Sequence, residues 1–407
     1  MGNYFNYEKK KSKVGLIIKI ILLLLIVVFI YGCYNFEFLK NNEHIKKAKK
    51  SIEATISSIT NSAKDSFSVI VENYEPDEED FAVYEVKDAQ NRYYYNQLDE
   101  PAKIIYAELL GNLDKIKAGE DNIKISSKLS DYVDANDPSG SLMSSFQNAW
   151  DAFRNDNVDV FYIDGTKMCL VTKTIKRGKK VNYEFFVSKG NNESYFVDGL
   201  NSVQEVSYAI AFVNESEKEI LDTITEKNDY YKIMKAHNWI VDNIEYNMGE
   251  SNNNANIYGA LQDRKVVCEG YARLFKSLMD KLDIPCVIVS GDGVDLDSGK
   301  NENHAWNYVY LKGNWYAMDV TWDDPIILGF GPVSKDIKYR YFLKGSNEFF
   351  KNHKERGKLV DNGMEFKYPE ISKEDYITEE WVPKDSFFNY CLQRSLDLYL
   401  LLFQLQQ

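Results

Sequence analysis

The sequence predicts an α+β protein: a cysteine-bearing helix packed on an antiparallel sheet, preceded by a second α+β unit and one N-terminal membrane helix. Three observations carry this. A chain of 407 residues exceeds the roughly 250–300 at which a single core stops growing, so two compact units with appendages are expected. Apolar residues recur at three- and four-residue spacing in some stretches and alternate with period two in others, so helices and strands mix. An unbroken apolar run near the N-terminus has the length of a bilayer span.

Composition narrows the function classes. At 44% hydrophobic and 27% charged, with 22 Gly and 8 Pro, the chain is neither collagenous nor low-complexity. A net charge of −13 gives no electrostatic reason to bind nucleic acid, and four histidines leave no room for a His-rich metal cluster. The five cysteines, at 33, 169, 268, 286 and 391, form neither CxxC pairs nor a disulfide framework. No cofactor and no nucleic-acid partner are expected, and no sign of an oligomeric state is present.

In chain order, residues 1–13 form a basic cytoplasmic tail and 14–34 a membrane anchor or lipoprotein signal. Val14 to Tyr34 is apolar apart from Lys19 and a few small or polar residues at its end, and Lys19 lies near enough to one end to snorkel. Five lysines against Glu8 give the first 33 residues a charge of +4, which holds the N-terminus inside and places the acidic body outside. Ile30-Tyr31-Gly32-Cys33 resembles a lipoprotein box in which Cys33 would be lipidated; Tyr31 fits it poorly, and an uncleaved anchor is the preferred reading.

Residues 35–79 read as a helical stalk, from Ile45, Ala48, Ile52, Ile56 and Ile59 among polar neighbours. Residues 80–205 read as an α+β unit of unknown role. Asp99-Glu100-Pro101 starts a helix through about Ile116, Met143 to Arg154 forms another, and strands are expected at 158–163, 168–175, 183–188 and 194–197. Residues 206–355 form the next domain. Ile233, His237, Ile240, Val241 and Ile244 share a helical face, which makes His237 a packing residue. A helix begins at or just before Cys268 and ends near Asp283, since Pro285 cannot continue it. Strands follow at 286–290, 304–311 and 315–322, with an acidic glycine loop at 291–299. Residues 356–407 form a tail whose Leu392, Leu396, Leu400 and Phe403 make one face of an amphipathic helix.

The candidate chemistry lies in 206–355. If Lys312-Gly313 is a two-residue turn, Leu311 pairs with Asn314 and His304 falls opposite Thr321, so Asp319 lies diagonal to His304 on the same face. The face of His304, Trp306, Asp319 and Thr321 then differs from the apolar face of Ala305, Val309, Leu311, Met318, Val320 and Trp322. Cys268 stands at a helix N-terminus, where the macrodipole and free N–H groups favour a thiolate and can hold an oxyanion. Gly270 and Ala272 are small enough to admit a substrate. A thiolate, an imidazole and a carboxylate are the parts of covalent acyl transfer.

Cys268-Glu269-Gly270-Tyr271-Ala272, Asn303-His304-Ala305-Trp306-Asn307 and Trp315 to Trp322 resemble the transglutaminase-like superfamily, with its papain-like core. The resemblance runs from about Tyr230 to His353. It implies Cys268 as nucleophile, His304 as general base and acid, and Asp319 as the group orienting His304. Related enzymes use a Trp, Tyr or Gln upstream of the Cys as second oxyanion donor, for which Tyr258 and Gln262 are the local candidates; Trp306 is a candidate wall. His353 reads as structural. Asp292, Asp295, Asp297 and Asp324 lack EF-hand spacing, so no metal site is expected. The expected function is an extracytoplasmic cysteine-dependent peptidase or amidase on protein or peptide substrates, including cell-wall peptides. Transamidation and a silent binding module are the alternatives.

Overall fold

The structure is a computed structural model that describes residues 81–378 except 248, 250, 295–298, 300, 325–337 and 361–362. The anchor at 14–34 with Cys33, the stalk, the C-terminal amphipathic helix, Asp295 and Asp297 lie outside the described residues. Among the described residues no helix is long and apolar enough to cross a membrane.

Helix α1 (Glu100–Gly111) starts as its sequence dictates. Asp99 accepts from the Ala102 N–H at 3.1 Å, Glu100 sits in the positive first turn, and Pro101 needs no hydrogen-bond acceptor there. It ends at Gly111, short of Ile116, because Asn112 leaves helical geometry and α2 (Leu113–Lys117) starts afresh. Strand β1 (Ile123–Ile125), α3 (Met143–Asp156), β2 (Cys169–Arg177) and β3 (Lys180–Ser188) follow, the strands making an antiparallel sheet in the order β1-β3-β2. The strands expected at 158–163 and 194–197 reduce to one bridge, Ile163 to Phe196. Val160 to Ile163 are buried one after another, so that run is apolar without the two-sided alternation of a strand.

Helix α4 (Val203–Asp222) had no counterpart in the sequence expectations. Its buried stripe is Val206, Ala209, Val213, Glu217 and Ile220, and the carboxylate in the middle disguises the apolar period. Ser202 caps it at Glu205 N (3.2 Å), and Glu205 reaches back to the Asn201 N–H at 2.6 Å. Next come α5 (Asp229–Asn243), β4 (Glu245–Tyr246), α6 (Ile257–Gln262) and β5 (Lys265–Val266), with β4 and β5 parallel.

Helix α7 (Cys268–Lys281) is the central helix, buried without interruption from Gly270 to Met279. It packs on the antiparallel sheet β8-β7-β6-β9, made of β6 (Cys286–Val294), β7 (Asn301–Leu311), β8 (Asn314–Met318) and β9 (His353–Glu355), with the short α8 (Ser346–Phe349) before β9. Strand β6 runs on to Val294 through part of the expected loop. Its Gly291 makes this possible: a Cβ there would stand 2.1 Å from the Lys354 carbonyl oxygen of β9 and 2.4 Å from the Trp306 ring.

One hydrophobic cluster extends from Tyr94 through α3, α4, α5 and α7 to Phe366, so the core is continuous across residues 205 and 206.

Candidate active site

The turn between β7 and β8 fixes the register. Lys312 (φ 48°) and Gly313 (φ 94°) both take positive φ, as a two-residue type I′ hairpin requires, and Leu311 pairs with Asn314. Pairing continues to Asn307 and Met318 and then stops. Beyond it the chain turns, with Asp323 N–H donating to the Asp319 carbonyl (3.1 Å) and Asp324 N–H to that of Thr321 (3.2 Å). The expected strand to Trp322 is therefore four residues too long. Trp322 does not share the apolar face of Met318; its ring lies 4.7 Å from the His304 ring, nearly parallel at 23°.

Period two along β7 separates its two faces. Ala305, Asn307, Val309 and Leu311 face α7, with Asn307 Nδ2 donating to the Ala272 carbonyl at 3.0 Å. His304, Trp306 and Tyr308 face the other way, towards Tyr341, Phe349 and His353. His304 Nε2 meets Asp319 Oδ2 at 2.7 Å, and both side chains are buried. Burial by itself would lower the His304 pKa. The charge and hydrogen bond of Asp319, joined by a hydrogen bond to Cys268, raise it well above that of an ordinary imidazole. Burial would raise the Asp319 carboxyl, but His304 and His353 hold it far below the usual carboxylate range. Cys268, His304 and Asp319 thus meet at one place.

Cys268 heads α7, whose cap residue Val267 offers no side-chain acceptor, and the thiol packs beside Val158, Ala272, Ile288 and Ala305. Gly270 and Ala272 do not line a substrate approach. A Cβ on Gly270 would stand 2.4 Å from the Val266 Cβ, so this glycine lets β5 cross the first turn, and Ala272 is core. The other described thiols differ: burial pushes Cys286 up, and Cys169 donates to the Ser188 carbonyl at 3.4 Å.

His304, Asp319 and His353 offer ligand atoms within 4.8 Å of one another. The Nε2 atoms of His304 and His353 both hydrogen-bond Asp319 Oδ2, at 2.7 and 3.0 Å. Asp292 pairs with Arg356, and Asp324 accepts from the Tyr271 hydroxyl at 2.6 Å.

Residues 218–320 match the family model of the transglutaminase-like superfamily. This stretch is a transglutaminase-like domain. Kyphoscoliosis peptidase from Mus musculus is 31% identical over 110 residues, which is 25% of this chain and 17% of that protein. The Homo sapiens protein of the same name is 32% identical over 99 residues, 22% of this chain and 15% of its own length. The chain thus spans less than a fifth of the curated relatives it matches. A crystal structure of a TGase aligns with a TM-score of 0.27 and 14% identity over 42% of this chain and 50% of that one.

Within the transglutaminase-like domain, the expected oxyanion candidates Tyr258 and Gln262 both belong to α6. Tyr258 stacks on Phe161 (5.8 Å, 15°) and meets Phe212 edge-on, so it joins α6 to the preceding unit; Gln262 is exposed at the end of α6. Trp306 is buried, its ring 6.0 Å from the His304 ring. Tyr246 of β4 lies against α7, its ring 6.5 Å from that of Tyr271. Burial pushes its phenol up to about 12, and the next contributions come from Cys268, Glu302 and Asp319, which puts it in the electrostatic field of the site. Nothing in the local sequence marks it, because β4 is two residues long and its approach to α7 depends on the parallel pairing of β4 with β5.

Two histidines read in the sequence as packing or structural residues also hydrogen-bond buried carboxylates. His237 is fully buried, as a packing residue would be, but its Nε2 meets Asp323 Oδ2 at 3.0 Å. His353 brings its Nε2 to Asp319 Oδ2 at 3.0 Å.

Proposed function

We propose that this protein is a cysteine-dependent acyl-transfer enzyme acting on amide bonds of proteins or peptides, cell-wall peptides included, with water preferred over amines as acceptor. The observation that carries the reading is the His304 ring, bound through Nε2 to Asp319 and hydrogen-bonded to Cys268. In this reading the Cys268 sulfur, its proton passed to His304, attacks the amide carbonyl carbon, and the oxyanion forms at the N-terminus of α7. The C–N bond then breaks as protonated His304 gives its proton to the leaving amine. A water, losing its proton to His304, attacks the thioester and restores the thiol. Asp319 holds His304 in the orientation and tautomer this exchange needs. The name peptidase borne by the curated relatives points to the same acceptor, water.

The assay offers Gln-containing and ordinary peptides, with and without a labelled primary amine. Hydrolysis dependent on Cys268 is expected. Amine incorporation exceeding hydrolysis at millimolar amine would make the protein a transamidase. No turnover, with Cys268 labelling no faster than a free thiol, would leave a binding module.

The lysines before the apolar run support an extracytoplasmic body anchored through residues 14–34. Protease added to intact cells is expected to digest it, and protection until lysis would reverse the topology. Labelled fatty acid retained by the wild type and lost in Cys33→Ala would replace the anchor with a lipidated Cys33.

A further inference from the structure

Asp319 serves two imidazoles, and the catalytic reading uses only one. Its Oδ2 lies 2.7 Å from His304 Nε2 and 3.0 Å from His353 Nε2, while Oδ1 accepts the Trp322 N–H at 3.1 Å. All three side chains are buried. A carboxylate with no exposure cannot draw on water, so its ionised form depends on these donors. His353 is held for this contact from every side. Its ring stacks on Phe349 (3.9 Å, 16°), lies 4.6 Å from the Trp322 ring and 5.0 Å from the Trp306 ring, and meets Tyr341 edge-on at 5.2 Å. Its Nδ1 is 3.0 Å from Asn352 Oδ1, and Asn352 Nδ2 donates to the Tyr341 hydroxyl at 2.8 Å.

We propose that His353 is a positioning residue for the acyl-transfer site, its Nε2–H fixing the Asp319 carboxylate that orients and charges His304. The inference rests on the catalytic reading of Cys268, His304 and Asp319. His353 touches no reacting atom and acts through Asp319 alone. The same two aromatic rings, Trp306 and Trp322, wall both imidazoles, so the carboxylate and its two donors move as one body. The groups facing the pair are Asp319, Cys268 and Tyr341, with Tyr246 and Glu302 further out in the same electrostatic field. Burial and the nearby His304 lower the His353 pKa, against the hydrogen bond and charge of Asp319.

The test is the rate of Cys268 alkylation by iodoacetamide at pH 6 relative to pH 9, read on the Cys268 peptide by mass spectrometry in the full chain. An ion pair with His304 keeps the ratio high, and a free thiol gives a low one. His353→Phe keeps the ring and removes the donor; the ratio is expected to fall towards that of His304→Ala. His353→Gln places an amide N–H near the position of Nε2 and is expected to restore most of the ratio. Should His353→Phe fail to fold, His353→Asn carries the same prediction as the phenylalanine, because its amide reaches only the Nδ1 position. His304→Ala separates the two ideas. A wild-type ratio in His304→Ala defeats the catalytic reading itself. A low ratio there, with a wild-type ratio in folded His353→Phe or His353→Asn, defeats only the role of His353, as does a folded His353→Gln that falls as far as His304→Ala.

Discussion

At the scale of single residues, the chemistry divides into groups that move bonds and groups that hold them. Cys268→Ala and His304→Ala are each expected to abolish turnover with the fold intact, while Asp319→Asn leaves residual activity, because the thiol and the imidazole act as a unit and the carboxylate works through His304. Steady-state rates on any established peptide substrate decide it, and an equal loss in Cys286→Ala with the fold retained would mean the wrong thiol has been chosen. Tyr246→Phe removes a hydroxyl within the electrostatic reach of Cys268. It is expected to lower kcat by roughly 10²-fold with little change in KM, as for loss of one oxyanion donor, whereas Tyr258→Phe, whose ring packs on Phe161, leaves kcat unchanged. The reverse pattern would return the role to Tyr258. The His304–Asp319 pair was legible in the sequence because a two-residue turn with Gly313 fixes parity across a hairpin. Tyr246 and His353 were not, since each reaches the site through pairing between segments far apart in sequence.

At the scale of elements, the turn after β8 shows what local pattern misses. The sequence Asp319-Val320-Thr321-Trp322-Asp323-Asp324 alternates enough to resemble a strand, yet three buried carboxylates in six residues cannot lie along a sheet without partners. Each is pinned to a different element: Asp319 to His304 and His353, Asp323 to His237 of α5, and Asp324 to Tyr271 of α7. Burial pushes the Asp323 carboxyl up to about 6, against the opposing pull of His237 and of the Tyr341 N–H, which donates to Oδ1 at 2.7 Å. A carboxyl that binds its proton more tightly folded than unfolded contributes stability at low pH, lost as pH rises from about 4 through 6. Asp323→Asn cannot make that loss. Its Tm deficit relative to the wild type is therefore expected to be smaller at pH 7.5 than at pH 4.5. A deficit that grows with pH would show instead that ionised Asp323 stabilises the fold through His237.

At the scale of the whole molecule, the segment before residue 206 is structurally part of the site. Val158 packs with Ala272, Ile288 and Ala305 beside Cys268, and the Tyr94 hydroxyl donates to the Ile288 carbonyl of β6. Arg273 of α7 donates to the Arg154 carbonyl at 2.6 Å, and Arg154 pairs with Glu269, the residue after the thiol. Burial would raise the Glu269 carboxyl, but Arg154 and Arg273 together hold it down. A chain beginning at residue 206 would expose the apolar face of Ala272 and Ile288 and strip Glu269 of one of its two cations. Losing one cation of this half-exposed cluster costs little by itself, but uncovering the core surface that Val158 and its neighbours cover costs several kcal/mol, about the stability of a whole domain. The expected outcome is that the truncated chain is insoluble or lacks a cooperative melt, and that residues 81–378 together unfold in a single calorimetric transition whose van't Hoff and calorimetric enthalpies agree. Two resolved transitions, or a soluble chain from 206 onward that alkylates Cys268 at the full-length rate, would separate the earlier segment from the catalytic core. The role of that segment would then have to be sought on its outer surface, in the three-stranded sheet β1-β3-β2, and not in the wall it gives to Cys268.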